Sequence, residues 1–207
     1  MRQLAFATAF CLTLIAIRCY ISGQVLFLFL VWNLFLAWIP LLISSGLKTL
    51  KNGAFFWLIP WLLFLPNAPY IITDLFHLRP RPEVPYWFDL LILSASAITG
   101  LMLGLRSLMQ VDRLFRSQLP SWFSSLMVLG ICLLTGFGIY LGRFQRWNSW
   151  DLATRPVDLL GDSLSLLTQA EPLGFTLGFG LFFAMVYGII FPFQSTSLTS
   201  PFPRHKS

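Results

Sequence analysis

The sequence predicts an all-α, polytopic transmembrane bundle of about six spans, and three observations carry that expectation. Hydrophobic residues make up 57% of the chain and charged residues only 11%, where soluble domains carry roughly 25% charged residues. The mean hydropathy is +0.74, so a soluble fold would lack the charge to cover its surface. The apolar residues also gather into runs of about the 20 residues that a hydrocarbon core of about 30 Å requires.

The first run, Leu4–Ile21, carries Arg18, whose stem can snorkel to the interface. Arg2 followed by apolar residues fits the start of a signal peptide. No small-residue cleavage site follows, however, and Arg18 precedes Cys19 where a lipoprotein signal wants a small residue, so a retained helix is expected. Ser22-Gly23-Gln24 makes a tight hairpin into the second run, Val25–Ile43. The third, Ala54 to about Leu78, holds Pro60, Pro66 and Pro69; five spans plus a re-entrant segment therefore remains an alternative. Phe88–Leu105, Trp122–Leu141 and Leu173–Phe193 complete the six.

Between the last two runs, Val157, Leu160, Leu164 and Leu167 recur at helical spacing opposite Asp158, Asp162, Ser163 and Ser165. This reads as an amphipathic helix near residues 157–170, closed by Glu171-Pro172, lying on the membrane surface or capping the bundle. Residues 1–193 form one transmembrane domain in this reading, and 194–207, rich in Ser, Thr and Pro, a disordered cytoplasmic tail. Small residues at four-residue spacing mark contact faces: Ser96, Gly100 and Gly104; Gly138 and Gly142; Gly174 and Gly178; Gly180, Ala184 and Gly188.

The net charge of +6 does not require a nucleic-acid partner, because the basic residues are scattered over short connections. Six spans place Arg2, Lys48, Lys51, Arg106, Arg113, Arg116, Arg204 and Lys206 on one side, and Arg18, Arg79, Arg81, Arg143, Arg146 and Arg155 on the other. The positive-inside rule then puts the first set, and both termini, in the cytoplasm. Of the acidic residues only Asp112 joins that side; the other seven lie opposite, around two polar segments that share the outer face.

The first polar segment is Leu65-Pro-Asn-Ala-Pro-Tyr-Ile-Ile-Thr-Asp-Leu-Phe-His-Leu78. An ionisable group inside a bilayer is costly unless paired or wetted, so it marks a functional site by default. At 100° per residue, Asn67, Tyr70, Thr73, Asp74 and His77 fall within an arc of about 120° on an otherwise apolar helix. Asn67 reads as its N-cap and Pro69 as a first-turn residue. Asp74 and His77 suit a proton relay or an acid/base pair; the competing structural reading has them satisfy arginines or backbone at a helix end. Two potential ligands on one helix fall short of a metal site, and no cofactor motif is present.

The second segment, Gly138-Ile-Tyr-Leu-Gly-Arg-Phe-Gln-Arg-Trp-Asn-Ser-Trp-Asp151, sets Arg143 and Arg146 one turn apart, and likewise Asn148 and Asp151. Its tryptophans suit the headgroup region. The bland reading is an aromatic-belt anchor. The sharper one pairs Arg143 or Arg146 with Asp74, leaving the other arginine and Asn148 for an anionic group, which the guanidinium fork suits. Cys11, Cys19 and Cys132 form no C-x-x-C pair and read as small apolar packing residues.

With these two motifs the chain resembles the domain-of-unknown-function 1361 family of bacterial multi-spanning membrane proteins, over most of its length excluding the tail. The resemblance implies an integral membrane protein of prokaryotic origin and brings no established activity, so no catalytic role carries over. Three functions stay open. The best expectation is binding or transport of a small solute or anionic headgroup at the outward-facing centre, where the small number of spans argues for a homodimer. The alternatives are a membrane-embedded enzyme acting on lipid or peptide, with Asp74 and His77 as general acid/base, and a structural or assembly protein. The bilayer itself is the one partner common to all three, with a small-molecule or lipid ligand under the first two.

Overall fold

The computed structural model describes residues 1–47 and 54–191; Lys48, Lys51, Arg204, Lys206 and the 194–207 tail lie outside the described residues. Six helical segments are long and apolar enough to cross a membrane: Arg2–Ser22, Leu28–Leu47, Phe55–His77, Tyr86–Arg116, Ser121–Phe144 and Ala170–Ile190. Among the described residues there is no strand. The elements in order are α1 (Arg2–Ser22), α2 (Leu28–Leu47), α3 (Ala54–Phe64), α4 (Asn67–Tyr70), a 3₁₀ turn (Ile71–His77), α5 (Tyr86–Arg116), α6 (Ser121–Phe144), α7 (Asp151–Thr154), α8 (Pro156–Leu166) and α9 (Ala170–Ile190).

Local chemistry sets several of the helix ends. Gly23 takes a left-handed φ of 65° and returns its N–H to the Cys19 carbonyl, which turns α1 sharply toward α2. Pro120 directly precedes the first residue of α6. The fourth span is longer than its apolar run. Nothing between Arg106 and Arg116 breaks a helix, so α5 continues for 31 residues, about 46 Å at 1.5 Å per residue. That is longer than a hydrocarbon core of about 30 Å, and Arg106 and Arg113 are exposed along the later turns of α5 while Arg116 pairs with Asp112. At the other end of the chain, Glu171-Pro172 does not close the amphipathic helix. Both residues lie in the first turn of α9, where a missing N–H costs nothing.

Helix α5 is the axis of the bundle. One apolar core packs α1, α2 and the 3₁₀ turn against its first half, including Ile15, Leu34, Ile71, Ile92 and Leu103. A second packs α3, α6 and α9 against its later part, including Trp61, Leu108, Cys132 and Phe183. Glycines set the closest approaches. A Cβ on Gly100 would stand 2.5 Å from the Ala68 carbonyl, and one on Gly136 2.5 Å from the Thr176 carbonyl. Gly180 is as tightly held against Leu133, so α6 and α9 touch backbone to backbone. Gly174, Gly178 and Gly188 have open space around them, so only part of the glycine pattern in α9 marks a contact within this chain.

Candidate functional site

The third span is where the backbone departs from a regular helix, and the reason is its prolines. Pro66 is in helical conformation (φ −58°, ψ −28°), so the chain continues without a sharp break and the segment is one span of changing pitch. Ala68 N–H donates to Leu65 O, a three-residue step instead of four. The carbonyls that this releases are served by side chains. Asn67 Nδ2 donates to Phe64 O at 3.0 Å, and Ser149 Oγ donates to Leu63 O at 2.9 Å. Asn67 is thus a mid-span patch on a broken ladder; no side-chain cap bond begins α4. Its second amide hydrogen goes to Ser149 Oγ at 2.8 Å, which ties the third span to the connection after α6.

Beyond Tyr70 the chain tightens to a 3₁₀ turn, not the α-helix assumed for the polar stripe. Three residues per turn align Asp74 with His77 and Ile71, while Tyr70, Thr73 and Phe76 form the neighbouring row. Thr73 is buried and donates to Tyr70 O at 2.7 Å. Asp74, 1% exposed, accepts from Asn33 Nδ2 at 2.8 Å and from Arg143 Nη1 at 3.3 Å. His77 Nδ1 lies 3.3 Å from Asp74 O and 3.9 Å from its Oδ1, and its ring packs on Phe29. The Arg143 guanidinium also covers the Phe76 ring. Gly142 makes room for this: a Cβ there would crowd the Tyr70 ring at 3.3 Å.

The other expected members are held elsewhere. Arg146 is exposed, takes a left-handed φ of 58°, and has no ion-pair partner among the described residues. Asn148 serves Asp151: its N–H donates to Oδ2 at 2.7 Å and its Nδ2 to the same oxygen at 3.3 Å. That main-chain N–H holds the Asp151 carboxyl below its ordinary range, against the opposing pull of burial, with help from Asn148 Nδ2, Thr154 and Arg155.

Beside Asp74, between α2, the third span, α6 and α7–α8, lies a cavity of about 310 Å³. Its wall is mostly apolar, with Leu36, Leu62, Phe137, Leu141 and Leu159 among the lining residues, and its polar members are Asn33, Asn67, Tyr70, Asn148 and Ser149. Asp74, His77, Arg143 and Arg146 do not line it. Trp32 and Leu134 do, and each is 53% exposed on the bundle's periphery, so the cavity reaches the surface that faces lipid.

Two further ionic clusters escaped the sequence reading. Arg18 does not snorkel: it is 0% exposed, its Nε donates to Asp89 Oδ1 at 3.1 Å, and Arg81 Nη1 reaches Asp89 Oδ2 at 2.9 Å, with both guanidinium groups over the Phe27 ring. At the opposite end of the bundle, Asp112 accepts from Tyr187 OH at 2.7 Å, from Ser124 Oγ at 3.0 Å and from Arg116 Nε at 2.9 Å. Asn33 had the same signal as Asp74, a lone polar side chain in an apolar run. Ser149 had none, since serine in a loop is ordinary. Among the described residues no group of three or more His, Cys, Asp or Glu side chains is placed to hold a metal.

The sequence model of a family described as "Protein of unknown function (DUF1361)" matches residues 32–186, from within α2 to the later part of α9. No curated protein and no solved structure matches the chain.

Proposed function

We propose, from the premise that this chain belongs to the DUF1361 family, that it is a multi-pass membrane protein which binds an amphiphilic small molecule in the cavity beside Asp74. The observation that carries this reading is the combination of an apolar wall, a polar patch at one end and a rim on the lipid-facing surface. At about 310 Å³ the space falls at the lower end of the range of roughly 300–1,000 Å³ for small-molecule sites. Asp74 and Arg143 act as its frame: their charges are spent on each other and on Asn33, which fixes the wall. By the positive-inside rule the cavity lies at the outer end of the bundle, in the plasma membrane of a bacterium, with both termini cytoplasmic. A second copy of the chain is not needed to form the cavity.

Native mass spectrometry of the full chain, released from bilayer-derived lipid, tests the proposal. The wild type is expected to retain one amphiphile per chain, and Leu141→Trp, which fills the cavity without touching a polar group, to lose it. Retention of the same mass by a folded Leu141→Trp protein, or none by the wild type, overturns it.

A further inference from the structure

The cavity's polar patch offers donors and acceptors together and, among the described residues, no free charge, and that combination identifies the headgroup. We infer that the site takes a neutral hydroxyl-bearing amphiphile, a long-chain alcohol or polyol lipid, in preference to an anionic one. The inference rests on the proposed binding role and narrows it to a ligand class.

Each lining amide has its orientation set by a partner that accepts. Asn33 Nδ2 donates to the Asp74 carboxylate, Asn148 Nδ2 to the Asp151 carboxylate, and Asn67 Nδ2 to the Phe64 carbonyl. None of the three therefore has nitrogen and oxygen interchangeable. Asn67 spends its remaining hydrogen on Ser149 Oγ, and Ser149 spends its own on Leu63 O. Asn67 Oδ1 is the one polar side-chain atom that Asn67 has left. Among the described residues the Oδ1 atom and the second Nδ2 hydrogen of both Asn33 and Asn148 are likewise outside any side-chain hydrogen bond, the Trp32 indole N–H is a further free donor, and Tyr70 OH can donate and accept.

Free donors and acceptors thus stand side by side on the wall, and the carboxylates behind the amides fix how they point. A carboxylate on the amide nitrogen polarises the amide and makes its oxygen a better acceptor. Asp74 is paired with Arg143 and Asp151 lies near Arg155, so neither puts a free charge on the wall. Among the described residues no cation lines the cavity to hold an anion, because Arg143 is turned onto Asp74 and Phe76 and Arg146 faces outward. The complement is an uncharged group that both donates and accepts hydrogen bonds. A full positive charge has no carboxylate within the wall to meet it, since Asp74 and Asp151 stand one residue behind the lining. A hydroxyl on an apolar chain fits both the patch and the wall.

The test uses the full chain in lipid nanodiscs with three photoactivatable probes of equal chain length, ending in a hydroxyl, a carboxylate and an ammonium group. Labelled peptides are mapped by mass spectrometry. The alcohol is expected to label α6–α7 or third-span peptides about tenfold more than the acid, a ratio of about 1.4 kcal/mol. Tyr70→Phe, which removes no side-chain hydrogen bond among the described residues, should cut alcohol labelling about three- to tenfold and leave the acid unchanged. Asn67→Leu should do the same, with Asn67→Gln recovering part of the effect. Equal or stronger labelling by the acid or the ammonium probe overturns the headgroup assignment while the cavity reading stands. Failure of all three to label the cavity overturns both.

Discussion

The two ends of the bundle hold the same chemistry and differ in what surrounds it. At one end Asp112 meets an arginine, a serine and a tyrosine; at the other Asp74 meets an arginine and an asparagine. The Asp112 cluster joins α5, α6 and α9, regular helices, the last two closing backbone to backbone at Gly136 and Gly180. The Asp74 cluster sits on a span whose prolines change its pitch, and there a cavity remains. Charge pairing by itself therefore makes a clamp. Backbone irregularity next to such a pair leaves room for a ligand.

The largest test of this contrast removes a carboxylate from the irregular end. Asp89→Ala leaves Arg18 with its charge buried and no counter-ion, at a cost of about 3–5 kcal/mol. Thermal unfolding of the detergent-solubilised protein should show a large loss, and Arg18→Met in the same chain should recover much of it. If Asp89→Ala unfolds with the wild type, the cluster is not a structural element.

A pair of matched substitutions sharpens the comparison directly. Tyr187→Phe strips a donor from buried Asp112 and should cost about 1–2 kcal/mol, with probe binding unchanged. Tyr70→Phe should leave stability within about 0.5 kcal/mol, the range of substitutions that break no contact, while lowering ligand capture. The reverse pattern would mean that the tyrosine at the cavity is the structural one.

The smallest effect is a pH dependence confined to the connection after α6. Asp151 is held below the ordinary carboxylate range by Asn148, so its contribution is fully present above that range and lost as pH falls through the lowered value. Hydrogen exchange at Asn148, corrected for intrinsic rate, should show protection at about pH 6 that declines toward about pH 3. Asp151→Asn should remove that dependence and leave exchange in α5 and α6 unaltered.

Much of the fold was legible in the residues. Run length and hydropathy located all six spans, because a hydrocarbon core accepts little else. The extension of α5 to Arg116 was missed for a related reason: hydropathy reports the membrane's edge, and a helix does not have to end there. Asn67 was misread as a cap, since sequence spacing does not say that Pro66 keeps a helical φ and ψ. The polar stripe was drawn with an α-helical period, and the backbone turned out tighter. Asn148 and Asp151 are partners of each other, and Asn148 also lines the cavity.

Composition and periodicity thus determined by themselves that the chain is a helical membrane protein, and which side chains are too polar for lipid. They act residue by residue, through the cost of exposing backbone and charge to hydrocarbon. That an arginine after the fifth span would meet Asp74 was expected, but which of Arg143 and Arg146 does so, which glycines touch, and where a space is left between helices were decided by tertiary packing. Those outcomes depend on contacts between spans far apart in sequence, as in Asn67 with Ser149, and no local pattern encodes them.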